Sequence, residues 1–262
     1  MRKFLSIICL LITGLIGWQG KTGNLITRAI PEAVIQKDTG KIYTIYFTID
    51  DGPLEGAPFI DSVFREEKVP ASLFLVGSHV YQDSIFEVYL KELKANHWFE
   101  MFNHSYTHAN EDYAFYYSHP IIVFHDMRRN EDSLHFKTRI CRMPARNTWR
   151  IAGKRSNDPF GGNRAANLLK RKGYTVIGWD LEWESDSLNQ PVQSPDNLFN
   201  ELKNSFEQNR SFVPGHVVLL CHDWMFTNHA FMEELDAFIK LVKSAGNIRF
   251  EWLKNYPLYK KK

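Results

Sequence analysis

The sequence predicts an α/β fold, a distorted (β/α) barrel of about seven parallel strands. Three observations carry that reading. Short β-branched and aromatic runs alternate with amphipathic stretches along most of the 262 residues. At 44% hydrophobic and 24% charged, the chain has the composition of a globular protein and enough length for one large core. Its chemically capable side chains also fall at or just beyond the C-terminal ends of the expected strands, the face on which α/β barrels build their sites.

Ile42 to Ile49 reads as a buried strand stopped by Asp50-Asp51-Gly52-Pro53. Phe59 to Glu67 has helical spacing, Ala71 to Val76 is a second strand closed by Gly77, and Ser84 to Ala95 is an amphipathic helix. Trp98 to Phe102 is a third strand. Asn110 to His119 is polar and aromatic and reads as loop, Ile121 to Phe136 contains a helix, and Thr138 to Arg142 is a short strand. A Gly- and Asn-bearing loop spans Gly153 to Asn163. The rhythm then returns: helix Arg164 to Lys172, strand Thr175 to Asp180, helix Pro195 to Glu207, strand Val217 to Cys221, helix Ala230 to Ser244 and a last strand Ile248 to Trp252. No repeat or low-complexity tract interrupts this order.

The chain carries 32 Lys and Arg against 30 Asp and Glu, a net +2 without a basic block except at the C-terminus, which argues against nucleic acid as a partner. No G-x-G-x-x-G or P-loop follows any strand, so no nucleotide site is expected. Residues 1–20 have a basic start and an apolar run of signal-peptide length, predicting export to the periplasm, envelope or exterior, with an uncleaved anchor as the alternative and the sole membrane contact. Residues 21–41 read as a connecting segment and 42–256 as a single folded domain. Cys141 and Cys221 are expected to be buried free thiols.

The functional reading begins at His104-Ser-Tyr-Thr-His108. Two imidazoles four residues apart on one face of a helical turn can reach one metal ion from the same side. The adjacent carboxylates Asp50 and Asp51 offer the missing donor, and a carboxylate with two imidazoles suits a divalent metal that keeps an open position. Arg142, Asp180 and His222 stand at comparable strand ends. Each feature alone has a plainer explanation: a turn, an ordinary ion pair, a strand-end histidine. In order and together they would need several independent accidents.

Tyr46-Phe-Thr-Ile-Asp50-Asp51-Gly-Pro53, Asn103-His-Ser-Tyr-Thr-His108, Cys141-Arg-Met-Pro-Ala-Arg146, the Trp179-Asp180 segment and Leu219-Leu-Cys-His-Asp223 resemble the five ordered motifs of the polysaccharide deacetylase family, carbohydrate esterase family 4, over about Tyr43 to Trp252. The resemblance implies a NodB-like fold and a metal-dependent hydrolase that removes N-acetyl groups from polysaccharide containing N-acetylglucosamine: peptidoglycan, chitin-like polymer or exopolysaccharide. It assigns Asp51, His104 and His108 to a divalent ion, zinc first with cobalt or nickel as alternatives. Asp50 would be the general base, Arg142 its orienting partner, the Ala145 N–H an oxyanion donor after Pro144, and His222 the acid that protonates the leaving amine.

The pattern departs from the family at Ala145-Arg146, where an aromatic and a glycine are usual. It departs again around Trp179, where Asp180, Glu182 and Asp186 compete to partner His222 and Asp180 is favoured. Tyr106, Pro144, Trp179 and Trp183 are expected substrate contacts. Two other functions stay open: a carbohydrate-binding relative with weakened turnover, and a deacylase of O-acetyl esters or other amides.

Overall fold

The structure is a computed structural model that describes residues 40–259. The predicted leader and nearly all of the connecting segment lie outside the described residues. No helix among the described residues is long and apolar enough to cross a membrane.

Among the described residues ten strands form one sheet: β1 (Tyr43–Asp50), β2 (Ala71–Leu75), β3 (Phe99–Asn103), β4 (Ile140–Cys141), β5 (Trp149–Ile151), β6 (Lys154–Ser156), β7 (Thr175–Val176), β8 (Leu181–Glu182), β9 (His216–His222) and β10 (Ile248–Phe250). The order is β6-β5-β7-β4-β3-β2-β1-β9-β8, with β10 added beside the first half of β1. Every pairing is parallel except those made by β5. The curled, largely parallel sheet is the distorted barrel expected, with an unpredicted antiparallel β5–β6 hairpin whose second strand falls inside the stretch that reads as loop.

The helices are α1 (Ala57–Glu67), α2 (Gly77–Val80), α3 (Ser84–Ala95), α4 (Tyr113–Ser118), α5 (Pro120–Leu134), α6 (Asn163–Arg171), α7 (Pro195–Glu207) and α8 (His229–Ser244). Helix α4 corrects the expected loop over Asn110 to His119. The Asp112 carboxylate caps it, accepting from the Phe115 N–H, and its buried face is Tyr116 and Tyr117, an aromatic pattern too short to show a helical period. Strand Thr175 to Asp180 also needs correction. Residues 175–177 pair with β4, and from Asp180 onward the backbone bonds to β9, so one extended segment passes from one neighbour to the other.

Strand alternation sets the two cores and aims the site. Along β1, Ile45, Phe47 and Ile49 face the helices in a cluster with Phe64, Leu202 and Phe238, while Tyr46 joins the barrel interior with Phe74, Phe102 and Val218. The period of two then places Asp50 in the inward column of Tyr46, His104 in that of Phe102, Arg142 in that of Ile140, and His222 in that of Val218. Apolar rungs thus fill the barrel, and the last rung at its C-terminal mouth is polar. Cys141 and Cys221 are free and buried, as expected.

Candidate active site

β1 and β9 pair in parallel with Asp50 directly across from His222, so two residues far apart in sequence sit side by side at the barrel mouth. The chain then turns sharply at Asp51, whose φ of 71° is unusual for a residue with a side chain. Three contacts hold the turn. Its carbonyl accepts the His79 Nδ1–H at 2.6 Å, the Trp224 indole N–H donates to Oδ2 at 3.2 Å, and the following loop donates Leu54 and Gly56 N–H to the buried Asp223 carboxylate.

His104 and His108 do not share a helical turn. They lie on the loop after β3, with Ser105 and His108 in left-handed backbone at φ 69° and 50°, and this replaces the geometry expected from their spacing. Helix α5 pins that loop. Asp126 accepts from the Thr107 N–H and hydroxyl and from Tyr116, and the Asn103 carboxamide oxygen accepts from the Ser105 N–H and from Asn130. Gly77 completes the fit, since a Cβ there would lie 2.4 Å from Asn130 Oδ1 and 2.6 Å from the Tyr106 ring.

Asp51 Oδ1 faces both imidazoles, with His104 Nε2 at 3.4 Å and His108 Nε2 at 3.1 Å. Burial pushes this acid up, but the two facing histidines pull it well below the usual carboxylate range. His104 Nδ1 lies 3.1 Å from the Arg142 carbonyl, which can only accept, so this nitrogen carries a proton, and Nε2 is the atom left to face Asp51. Asp51 Oδ1 is itself buried without a hydrogen-bond partner. Three electron-pair donors within 4.8 Å of one another, one of them an orphaned carboxylate oxygen, fit a cation.

The Asp50 carboxylate is set on the other side. Arg142 Nη1 donates to its Oδ1 at 2.8 Å and to Thr48 Oγ1 at 2.9 Å, and Nη2 donates to the Gly178 carbonyl at 2.9 Å. Asp50 Oδ2 faces His104 Nε2 at 3.5 Å. These groups open on a cleft of about 520 Å³ whose walls include Ala145, Trp179, Glu182, His222 and Trp224.

Several expected site residues lie elsewhere. Asp180 is not beside His222: its carboxylate accepts the Phe212 and Val218 N–H groups at 2.6 and 2.8 Å, and burial raises its pKa to about 6. Of Asp180, Glu182 and Asp186, it is Glu182 that lines the cleft with His222, whose Nδ1 is buried without a partner. Trp183 is a core residue against Phe226, Phe231 and Phe238, with its indole N–H bonded to the Gln193 carbonyl. Tyr106 stacks under Arg129 at 3.6 Å and packs on Gly77. The Pro144 carbonyl accepts the Tyr117 hydroxyl at 2.5 Å, which fixes the turn that presents Ala145.

Sequence reasoning missed His79, Glu111 and Tyr113, which also line the cleft. No motif marks them. The signal available was position alone, one residue set just beyond β2 and two just beyond the His104–His108 loop. Arg146, whose place beside the third motif had no explanation, lies over the Tyr117 ring at 4.7 Å and donates to the Ala145 carbonyl at 2.7 Å, bracing the same turn.

Residues 37–151 match the family model described as polysaccharide deacetylase. Nothing among the curated proteins matches the chain. Among solved structures, a Streptococcus mutans CE4 esterase superposes with a TM-score of 0.60 at 20% identity, over 79% of this chain and 85% of that one. The catalytic domain of a peptidoglycan N-acetylglucosamine deacetylase from Eubacterium rectale also gives 0.60 at 20% identity, over 88% and 98%. A mutant of a CE4 family pseudoenzyme with restored enzymatic activity gives 0.55 at 21%, over 84% and 68%. At such identities the likeness is one of fold. Asp50, Asp51, His104, His108 and Arg142 all lie inside the matched stretch, so the part of the chain that carries them is similar to the polysaccharide deacetylases.

Proposed function

We propose that this protein removes N-acetyl groups from an N-acetylglucosamine-containing polysaccharide outside the cytoplasm, with peptidoglycan as the first candidate. The observation that carries the proposal is the meeting, in one cleft, of a three-donor cation site, a carboxylate oriented by a buried arginine, and a histidine in register with that carboxylate. Two solved structures of the same fold add support, being described as peptidoglycan N-acetylglucosamine deacetylases. The apolar leader at residues 1–20 agrees with an exported enzyme.

Asp51, His104 and His108 would hold the ion, and two imidazoles with one carboxylate favour zinc, with cobalt or nickel able to replace it. Bound there, a divalent ion polarises an acyl carbonyl and lowers the pKa of water. Asp50 takes a proton from the attacking water. Its Oδ1 is engaged by Arg142, which leaves Oδ2 facing the cleft as the acceptor. The Ala145 N–H bonds the oxygen on which charge develops, at a turn clamped by Tyr117 and Arg146. His222 delivers a proton to the departing amine from its place beside Asp50, with Glu182 lining the same cleft. Trp179 and Trp224 supply apolar surface for a pyranose ring.

One observation favours a weaker catalyst that mainly binds glycan: the unpartnered Nδ1 of His222. Acetate release from N-acetylglucosamine oligomers and from peptidoglycan by the zinc-loaded protein separates the readings, with Asp50→Asn and a chelated sample as controls. Release lost in both controls supports the hydrolase. Glycan binding without release supports the binding reading, and release from O-acetyl esters alone moves the substrate class.

A further inference from the structure

The imidazole of His108 is gripped from behind. Its Nδ1 lies 2.9 Å from Glu111 Oε1 and 3.3 Å from the Tyr113 hydroxyl, and that hydroxyl donates to Glu111 Oε2 at 3.0 Å. The Tyr113 ring stands edge-on to the imidazole, at 88° with centroids 5.9 Å apart. His104, the companion ring, has only a neutral backbone carbonyl behind it. The two histidines aimed at Asp51 are therefore held by different chemistry.

The backbone shows how this grip is made. His108, Ala109, Asn110 and Glu111 all have left-handed φ angles, 50°, 62°, 47° and 60°, and none is glycine. A run of four such residues is costly for L-amino acids. It curls the chain back so that a side chain three residues on returns over its own histidine. Glu111 is an exposed carboxylate, so no demand of the core requires it to be there. Strained backbone at a functional site persists where the surroundings over-determine it, and here Asp126 and the α4 cap hold the two ends.

We infer that Glu111, steadied by Tyr113, is a positioning residue for the metal site: it engages Nδ1 of His108 and so fixes that ring with Nε2 turned toward Asp51. The inference rests on the reading of Asp51, His104 and His108 as metal ligands and extends it to a group outside that set. A carboxylate accepting from the far nitrogen of a ligating imidazole sets its tautomer, its ring orientation and its donor strength. Gln at position 111 keeps an acceptor without the charge. Ala removes both, and Tyr113→Phe removes only the hydroxyl that steadies the carboxylate.

The test is Zn2+ affinity, measured on the full chain by competition with a chromophoric chelator, with unfolding midpoints confirming that each variant is folded. Glu111→Ala is expected to weaken zinc binding about 10- to 100-fold, Glu111→Gln by less, and Tyr113→Phe by a few-fold. Nitrogen-15 and proton spectra of the zinc-loaded protein give a second readout. The His108 Nδ1 proton should be hydrogen-bonded and slow to exchange with water in the wild type and should lose that protection in Glu111→Ala, which a merely structural role would not cause. Wild-type affinity in Glu111→Ala, or an unchanged His108 signature, overturns the inference alone. A wild type that takes up no zinc overturns it together with the metal reading.

Discussion

Arg142 reaches into the barrel and places Nη1 2.8 Å from Oδ1 of Asp50, with neither side chain meaningfully exposed to water. A buried ion pair is a poor source of stability, because desolvating both charges offsets most of their attraction. Its value here is geometric. The guanidinium is fixed by Thr48, by the Gly178 carbonyl and by the face of Phe74 at 4.3 Å, so the carboxylate it engages can turn only one oxygen toward the cleft.

Arg142→Ala should therefore cost about 3–5 kcal/mol of unfolding free energy, the penalty of a buried carboxylate left alone. Adding Asp50→Asn should restore a large part of that loss, since no charge is then stranded. Urea unfolding of the wild type, both single variants and the double variant measures the coupling. If the two single losses simply add, the pair is not what positions Asp50.

Metal uptake should report on Asp51 directly. Zinc at a hundredfold excess over its dissociation constant should stabilise the wild type by about 2.7 kcal/mol, and a chelator should reverse the gain. Asp51→Asn removes the anionic member of the donor set, so neither zinc nor chelator should shift its thermal midpoint. Acetate release should fall by at least about a thousandfold, within the range expected when a principal electrostatic contributor is lost. A zinc-dependent midpoint retained in this variant would place the ion elsewhere.

Asp180 and Glu182 lie two residues apart but should behave as different kinds of residue. Glu182→Gln is expected to lower kcat about tenfold or more with little change in stability, because this acid shares the cleft with His222. Asp180→Asn should leave turnover nearly intact and act on stability. Burial raises the Asp180 pKa to about 6 in the folded state, above an ordinary aspartate, so the folded protein binds more protons than the unfolded chain between about pH 4 and 6. That contribution is complete at the acid end of the window and is lost as pH rises through it. Wild-type stability should thus decline more steeply from pH 4 to pH 6 than that of Asp180→Asn, by no more than about 1 kcal/mol per pH unit. Parallel profiles in urea unfolding would refute the assignment.

The contrast between Asp180 and Glu182 shows what could be read before the fold was known. Strand ends were legible where long β-branched runs stop at polar residues, which located Asp50 and His222 at the ends of the inward columns of β1 and β9 and Asp51 one residue beyond β1. The grouping of Asp51, His104 and His108 was legible from residue type and order, although the backbone that joins His104 to His108 is a left-handed loop and not a helical turn. The Trp179 region was not legible, because the extended segment changes neighbours between Ile177 and Asp180. Depth in the sheet then depends on pairing, which a local pattern does not encode. Trp183 failed as a site residue for a related reason: an aromatic next to a cleft residue points the opposite way, into the core. His79, Glu111 and Tyr113 reach the site through loop geometry that has no period.

The turn that presents Asp51 should be sensitive to a single methyl group at Gly56. This residue has an ordinary φ of −75°, so an alanine there meets no backbone strain. The obstacle is space, since a Cβ would stand 2.0 Å from the Asp223 carbonyl oxygen and 2.8 Å from its Oδ1. Backbone cannot yield as a side chain does, so the β1–α1 loop must shift away from Asp223 and loosen the N–H bonds of Leu54 and Gly56. Gly56→Ala should cost roughly 2–3 kcal/mol, in the range of overpacked sites, and should weaken zinc binding because Asp51 moves with the loop. Gly153 supplies the opposite case, with φ 85° and no atom within 4 Å of an added Cβ. Gly153→Ala should cost only about 1 kcal/mol, through its backbone conformation, and leave zinc affinity unchanged. Equal effects of the two substitutions on zinc binding would show that contact with Asp223 does not set the position of Asp51.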